Sequence, residues 1–549
     1  MLRFNNLTKI QNSFKLSRCF STQTILNKDT NQARGIAEYA IDFMNSERDI
    51  SPEVYEKVRL FHTDSVLCGV SALALKTNAP NVLRNEAINS FRASEERISL
   101  GAKVSKCLGS DIWVSSEKAI CANASAVREW DSNGTVFGYN PNIPGHTAGE
   151  FGHNDYYPVV IAAAHNNSKF TGKDALKGMI CLDEIRGRLA EVFSLKSYKI
   201  DHVVHGAIAS AATYGAMLGG SVDEIEHAIG MVVAHYIPWR AIRAGKQLSD
   251  SKGASAALST EAAILSMHRA MDGFIGPKDI FRNPEAIFRF FESTGDRDES
   301  PFNLHLTNEG DDFAVMGMHF KLGLYEHQSA GAIAGLIKLL RENPQILENG
   351  DASNIKKINI TAYEPAYGII GDKAKWDPTT RQSADHSMVY IISTMLKNAF
   401  QQHDTLDPST DIQEYWKTLM LTPHDYSGTA LYSPITRELM DKIQFHHGGE
   451  EYDSKYPEGI PSSIEIQTTD GNTVDSGFIM FPGGHARNTD TDLTNVLQHK
   501  FKTLGQLALG MEDLSGFINK LESIEKASNE DLKSIYDCNL NFADTSIDD

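Results

Sequence analysis

The sequence predicts a mainly α protein: a large all-helical domain carrying an inserted, smaller α/β domain that acts as a lid. Three observations predict it. Apolar residues recur at helical spacing from residue 31 onward. The run SYKIDHVVHGAIASAATYGAMLGG at 197–220 is so rich in Ala and Gly that its backbone must pack closely on other helices. Between residues 319 and 488 strand-like and helical patterns alternate, and a helical pattern returns after them. At 549 residues the chain is long for a single core, which also favours two domains.

Composition narrows the function classes. With 41% hydrophobic and 22% charged residues the chain has an ordinary globular composition. Its net charge of −19 argues against nucleic-acid binding, because no basic field is available to neutralise phosphates. An acidic chain that binds a polyanionic metabolite must gather Lys, Arg and His in one pocket. The six cysteines (19, 68, 107, 121, 181 and 538) are scattered without a C-x-x-C, so no disulfide framework, zinc knuckle or typical iron–sulfur cluster is suggested. No apolar run reaches the roughly 18 residues of a membrane span.

Residues 1–28 form a basic leader free of acids. Arg3, Lys9, Lys15, Arg18 and Lys28 alternate with Leu2, Phe4, Leu7, Ile10, Phe14 and Leu16, and the first acid is Asp29. That is the composition of a mitochondrial transit peptide, with a cleavage-like site after Phe20, and it places the mature protein in the matrix. A secretory signal is disfavoured because charges interrupt every apolar core.

The helical domain is expected over 30–318. Ile36, Tyr39, Ala40, Phe43 and Met44 make one stripe, and Leu60, Phe61, Asp64, Ser65, Leu67 and Cys68 continue it. EKAICANASAV at 117–127 reads as a buried helix in close contact. At Trp130 the pattern breaks into a long Gly-, Asn- and Pro-rich loop carrying Asp131, Thr135, His146, Glu150, His153 and Asp155. A loop that long inside a domain is usually functional, although its polar groups could equally cap neighbouring helices. The helical pattern resumes at VVIAAAHNN. His202 and His205 share one helical face, Gly219-Gly220 stops the helix, and Ser221-x-x-Glu224 is a capping box for the next. A histidine at the mouth of such a bundle is either an acid–base group or a hydrogen-bonded core residue. Arg240, Arg243, Lys246 and Lys252 follow, four cations suited to carboxylates or to a solvated basic face. Lys252 is placed just before an Ala-rich helix.

The α/β insertion is expected over 319–488. SAGAIAGLIKLLREN is a helix, and IKKINITAY alternates at Ile358 and Ile360 as a half-buried strand does. A loop with Tyr367, Asp372, Lys373 and Lys375 precedes a helix opened by Ser383-Ala-Asp-His-Ser-Met-Val-Tyr390. SSIEIQTTDGNTVDSGFIM is a hairpin turning at Asp470-Gly471. His446 and His447 are expected in a loop. Residues 489–549 return as helices to the first domain, with a frayed acidic end.

Taken together, several of these segments resemble the MmgE/PrpD family, over roughly residues 34–525. Trp130-Asp131-Ser132-Asn133-Gly134-Thr135 matches the family's Leu-Asp-Phe-Asn-Asp-Thr. Gly152-His153-Asn154-Asp155 matches Gly-His-Pro-Ser less well. Asp201-His202-Val203 matches Asp-His-Val. Arg240, Arg243 and Lys252 match Arg-x-x-Arg with a Lys nine residues on. Phe320-Lys321 opens the second domain, Asp385, His386 and Tyr390 match Asp-His-x-x-x-Tyr, and Gly484 to Arg487 match Gly-His-Ala-Arg. Gly134 stands where the family has Asp, residues 136–151 are lengthened, and Gly323-Leu324-Tyr325 replace a Phe-Pro-Ala.

The resemblance implies a helical domain, an α/β lid, a cleft between them and a homodimer. It implies an active site of Asp131, Thr135, His153, His202, Lys252 and Lys321, with Tyr367 matching the decarboxylase branch. The implied activity is a metal-independent and cofactor-free lyase acting on a tricarboxylate: dehydration of 2-methylcitrate in propionate breakdown, or decarboxylation of cis-aconitate to itaconate. His153 and His202 would transfer protons and Asp131 would orient one imidazole. Lys252, Lys321, Arg240 and Arg243 would hold carboxylates, Thr135 would bond the substrate, and Tyr367 or Tyr390 would assist. Two other classes compete. One is a metallohydrolase on His146, His153 and Asp155, which lacks an HExxH spacing. The other is a relative that kept the fold without activity.

Overall fold

The computed structural model describes residues 22–244 and 247–549, so most of the leader and Lys246 lie outside the described residues. The described residues are helix-rich, with one four-stranded sheet and three two-stranded ones among them.

The central helix of the helical part is Val203–Leu218, and all of its residues except Leu218 are buried. It packs against Gly172–Val192, Val222–His235, Asp250–Met271, Tyr157–His165 and Gln32–Asn45. The small residues of 197–220 are what allow this. A Cβ on Gly206 would sit 2.0 Å from Cζ of Tyr156, and one on Gly215 would sit 2.6 Å from Sδ of Met267. Gly219 ends the helix at φ 82°, and Ser221 and Glu224 form the reciprocal capping box that starts the next. No single described helix is long and apolar enough to cross a membrane.

The second region is built on a sheet ordered Thr473–Asp475, Ser462–Thr468, Ile355–Ala362, Ile443–His447. The first three strands are antiparallel, and the last runs parallel to Ile355–Ala362. Ile358 pairs with Ile466 and Ile360 with Ile464, all fully buried, as the alternation predicts. The helix Ala330–Glu342 covers this face. Its Gly331 faces the carbonyl of Ile460 and its Gly335 faces Ile464, so the backbones approach closely. The Asp470-Gly471 turn closes the hairpin, with Gly471 at φ 93°.

Four local expectations change. Gln23–Leu26, inside the expected 1–28 leader, is a strand paired antiparallel with Leu304–Thr307. His446 and His447 lie in the strand Ile443–His447 rather than a loop, because backbone pairing with Thr361 and Ala362 continues through them. Lys252 lies in the first turn of Asp250–Met271 rather than before the helix. The acidic end is docked rather than frayed. The amides of Ala543 and Ile547 donate to the carbonyls of Ala74 (2.8 Å) and Leu75 (3.1 Å), and Asp548 pairs with Arg381 at 2.9 Å.

Candidate active site

The helix Ser116–Arg128 delivers the first group. Three residues past its end, Asp131 takes a left-handed backbone at φ 51° and is wholly buried. Asp is one of the few side chains that tolerates this conformation, and it is stored here at a polar centre. The long loop then forms two short strands, Thr135–Val136 and Gly152–His153, which place Thr135 directly opposite His153. Residues 137–151 run out between them and return, held where the amide of Ala148 donates to the carbonyl of Glu191 at 2.7 Å. Reciprocal backbone bonds between Thr135 and His319 tie this ribbon to the segment that carries Lys321.

Asp131 is the hub. Arg128 pairs with its Oδ1 at 2.7 Å, the Lys321 ammonium binds the same oxygen and the Asp131 carbonyl (2.8 Å), and His386 Nε2 reaches Oδ2 at 3.2 Å. Lys321 Nζ is 3.4 Å from His153 Nδ1. Asp385 forms a second node, with Lys252 Nζ at 2.7 Å and His386 Nδ1 at 2.6 Å. The imidazoles of His153 and His202 face each other edge to face, centroids 5.3 Å apart. His202 Nδ1 lies 3.4 Å from Asp201, whose carboxylate is gripped by Arg243. Arg240 sits 5.5 Å from the Phe151 ring with Nη1 buried and unpartnered. All of Asp131, His153, His202, Lys252 and Lys321 are at most 4% exposed.

Charge follows geometry. Burial pushes the Asp131 carboxyl up, but Arg128 and Lys321 outweigh it and hold it well below the usual carboxylate range. Burial, with Arg128 and Lys321 alongside, depresses His153 well below 6.5. Burial depresses His202 likewise, against the opposing Asp201. Both imidazoles are therefore held in the neutral form. Burial also lowers Lys252 and Lys321, partly offset by Asp385 and Asp131 respectively. Glu326 is raised to about 7 by burial and by Asp131, and Lys375 is lowered to about 8 by burial despite Glu326 nearby.

The structure thus gathers Asp131, His153, His202, Lys252 and Lys321, with Arg243 and Arg240 on the His202 side. Thr135 joins them through the ribbon, its hydroxyl donating to the Gly152 carbonyl at 2.7 Å. Two expected residues stand apart. Tyr390 donates its hydroxyl to the carbonyl of Asp425 at 2.7 Å. Tyr367 is 41% exposed and stacks on Phe445 and His447. Tyr390 faces the interior of its own region because its helix buries that side, and Tyr367 sits on a turn past the end of its strand.

Sequence reasoning gave no role to Arg128, Asp385, His386, Glu326, Lys375 or Lys500. The signal for Asp385 and His386 was the motif itself, and for Arg128 its position three before Asp131. Lys500 had none. It comes from the C-terminal helix Leu493–Gln506, and its Nζ donates to the carbonyls of Ser132 (2.7 Å) and Lys321 (2.9 Å) while pairing with Asp64 at 2.7 Å. It pins both chain segments that meet at the hub.

The departures from the family pattern have local causes. A Cβ on residue 134 would lie 2.3 Å from the Phe61 ring, which stacks on Phe320 at 3.8 Å, so glycine is required there. Gly323 adopts φ 148°, its carbonyl accepts the Ser132 hydroxyl (2.7 Å), and the Tyr325 hydroxyl accepts the Leu322 amide (2.9 Å).

His146, His153 and Asp155 do not converge as a metallohydrolase would need. His146 is bound to Glu191 at 2.7 Å, and Asp155 takes the Asn133 amide at 2.6 Å. Among the described residues the group close enough to hold a metal ion is instead Asp131, Asp385 and His386. The Lys252 ammonium already lies among these three, 2.7 Å from Asp385, 3.2 Å from His386 Nδ1 and 3.9 Å from Asp131.

Comparison with known proteins gives the family. The MmgE/PrpD N-terminal domain model matches residues 34–299, and the MmgE/PrpD C-terminal domain model matches residues 325–419. A Saccharomyces cerevisiae protein named probable 2-methylcitrate dehydratase is 22% identical over 509 residues, 91% of this chain and 90% of that protein. A Yarrowia lipolytica protein named mitochondrial 2-methylcitrate dehydratase is 25% identical over 368 residues, 66% of this chain and 63% of that protein, so this match spans less than two thirds of its length. An Aspergillus oryzae protein named as cis-aconitate decarboxylase-like is 23% identical over 389 residues, 68% of this chain and 73% of its own.

Proposed function

The chain belongs to the MmgE/PrpD family, and from that premise we propose that it is a lyase that dehydrates 2-methylcitrate, or a close 2-alkylcitrate, without a metal ion. The observation that carries the reading is the facing pair His153–His202, neutral and buried among Arg128, Arg240, Arg243, Lys252 and Lys321. A tricarboxylate needs such a concentration of cations, and this chain gathers it here despite a net charge of −19.

In the proposed reaction one imidazole removes a proton from the carbon beside a carboxylate. The C–H electron pair becomes the new double bond, the carbon–hydroxyl bond breaks, and a second acid protonates the departing hydroxide to water. We assign the base to His202. In this assignment the hydrogen sits on Nδ1, 3.4 Å from Asp201, and Nε2 keeps the lone pair. His153, beside Lys321, is the acid. The Lys321 ammonium recharges it, and Asp131 fixes Lys321 and His386 in place. Lys252, Arg240 and Arg243 take the carboxylates, whose charge grows as the proton leaves.

The site is sealed in its present form, so substrate entry requires the 319–488 region to move from the helical part as a lid. Exposed apolar side chains at Tyr236 and Trp239, just before Arg240 in the chain, and at Phe274 and Ile275 after the helix Asp250–Met271 support a homodimer. The leader composition and the mitochondrial Yarrowia relative support a matrix location.

A proton NMR time course tests the activity. Protein lacking residues 1–20 is given 2-methylcitrate, citrate and cis-aconitate separately. Appearance of 2-methylaconitate supports the proposal. Itaconate from cis-aconitate moves the same site to decarboxylation, and no turnover of any of the three overturns it. His202→Gln should lower kcat by about 10²- to 10⁴-fold with an unchanged melting temperature. Full activity in that variant removes His202 from the chemistry.

A further inference from the structure

Outside the hub lies a cavity of about 700 Å³, within the roughly 300–1,000 Å³ typical of small-molecule sites. Leu60, Leu176, Met316, Met318 and Phe320 give it apolar walls. Its polar lining includes Tyr55, Arg59, Lys173 and Asn488 as well as Lys57 and His485. Lys57 Nζ donates to the Met316 carbonyl at 2.7 Å and, among the described residues, pairs with no carboxylate. His485 is 5% exposed, and its Nδ1 accepts the Arg487 amide at 3.1 Å. That bond fixes the tautomer, so Nε2 carries the hydrogen, and this N–H is buried with no acceptor.

A largely apolar-walled cavity that holds an amine without a carboxylate partner and an unsatisfied buried N–H is complementary to an anion with two acceptor oxygens and a hydrocarbon body. The carboxylates lining the cavity, Glu53, Glu56 and Glu525, are exposed at its rim, and Glu56 is engaged with Arg59. None forms an ion pair with Lys57. Burial without an acidic partner pulls the Lys57 amine down to about 7, and a bound carboxylate would supply the missing partner.

We propose that this cavity is a second small-molecule site, for an aliphatic or aromatic monocarboxylate. The hydrocarbon body lies against Met316, Met318 and Phe320, and the carboxylate lies between Lys57 and His485. Its occupant would touch Phe320, the residue before Lys321, whose ring stacks on Phe61. The proposal stands apart from the dehydratase reading, and its test does not use turnover.

Octanoate, octanol and octylamine are titrated into the full chain by calorimetry, with and without saturating citrate. Octanoate should bind saturably at one site per chain, about tenfold tighter than octanol, with octylamine weakest. Lys57→Gln should bring octanoate down to the affinity of octanol and leave octanol unchanged. In the unaltered protein with methyl-labelled methionine, the octanoate chain should give NOEs to Met316 and Met318, which keeps the test valid if the variant fails to fold. Absence of saturable binding overturns the proposal. So do equal affinities for octanoate and octylamine, displacement of octanoate by citrate, or absence of those NOEs.

Discussion

A buried ionic cluster within the helical part and the one around Asp131, which also draws on residues of 319–488, are built differently. In the first, Arg188 pairs with Glu184 at 2.8 Å and Glu191 at 3.1 Å and donates to the Thr307 hydroxyl at 3.2 Å. Glu184 takes the amides of Thr307 (2.7 Å) and Ala314 (2.6 Å). Every side-chain polar atom of Arg188, Glu184 and Glu191 has a partner. In the second, around Asp131, both ring nitrogens of His202, one oxygen of Asp385 and one nitrogen of Arg240 are buried without partners. Cations crowd beyond what the local carboxylates neutralise. A closed network fixes a fold, whereas an open one with unspent donors and acceptors is arranged for a group that comes and goes.

The comparison can be broken at several points. The largest effect is expected from Asp131→Asn. Removing the hub charge leaves Arg128 and Lys321 buried together, so turnover should fall more than about 10³-fold and stability by roughly 3–5 kcal/mol. NMR turnover and urea denaturation check the two halves. If activity survives, the hub is only structural. Arg188→Met should cost about the same 3–5 kcal/mol, because it strands Glu184 and Glu191, yet leave kcat within about threefold at temperatures where the variant is folded. A large loss of kcat there would erase the distinction between the clusters.

Gly134→Ala should cost about 1–3 kcal/mol, since its methyl would meet the Phe61 ring, and Phe61→Leu in the same chain should recover much of it. Additive losses in urea denaturation would mean that the ring does not dictate the glycine. The smallest effect concerns His62. It is wholly buried between Tyr157 and Tyr536, with both nitrogens unpartnered, and burial lowers it to about 3. The unfolded chain takes up its proton near pH 6.5 and the folded chain does not. Its contribution is therefore complete above pH 6.5 and is lost as pH falls toward 3, at up to about 1.4 kcal/mol per pH unit. His62→Phe should flatten the stability profile between pH 6.5 and 5 by that amount. An unchanged slope would show that His62 is protonated in the fold.

What the sequence determined by itself follows from short-range physics. Helical periodicity, the Ser221–Glu224 capping box, the Gly219 stop, the Ile358/Ile360 alternation and the Asp470-Gly471 turn depend on residues a few positions apart. All appear in the structure as expected. The residue types of the site were also legible, because an acidic chain that gathers His, Lys and Arg beside a long polar loop limits the chemistry. Tertiary structure alone decided which of those groups meet. Lys321 reaches Asp131 across 190 residues, Lys252 reaches Asp385 across 133, and Lys500 reaches Ser132 across 368. No local pattern encodes such pairings, and the same blindness hid the docking of the C-terminal residues and the placement of Tyr367 and Tyr390 away from the hub. A side chain's partners at those separations are set by how helices and sheet pack, and a buried charge is stable only where that packing brings it a counter-charge.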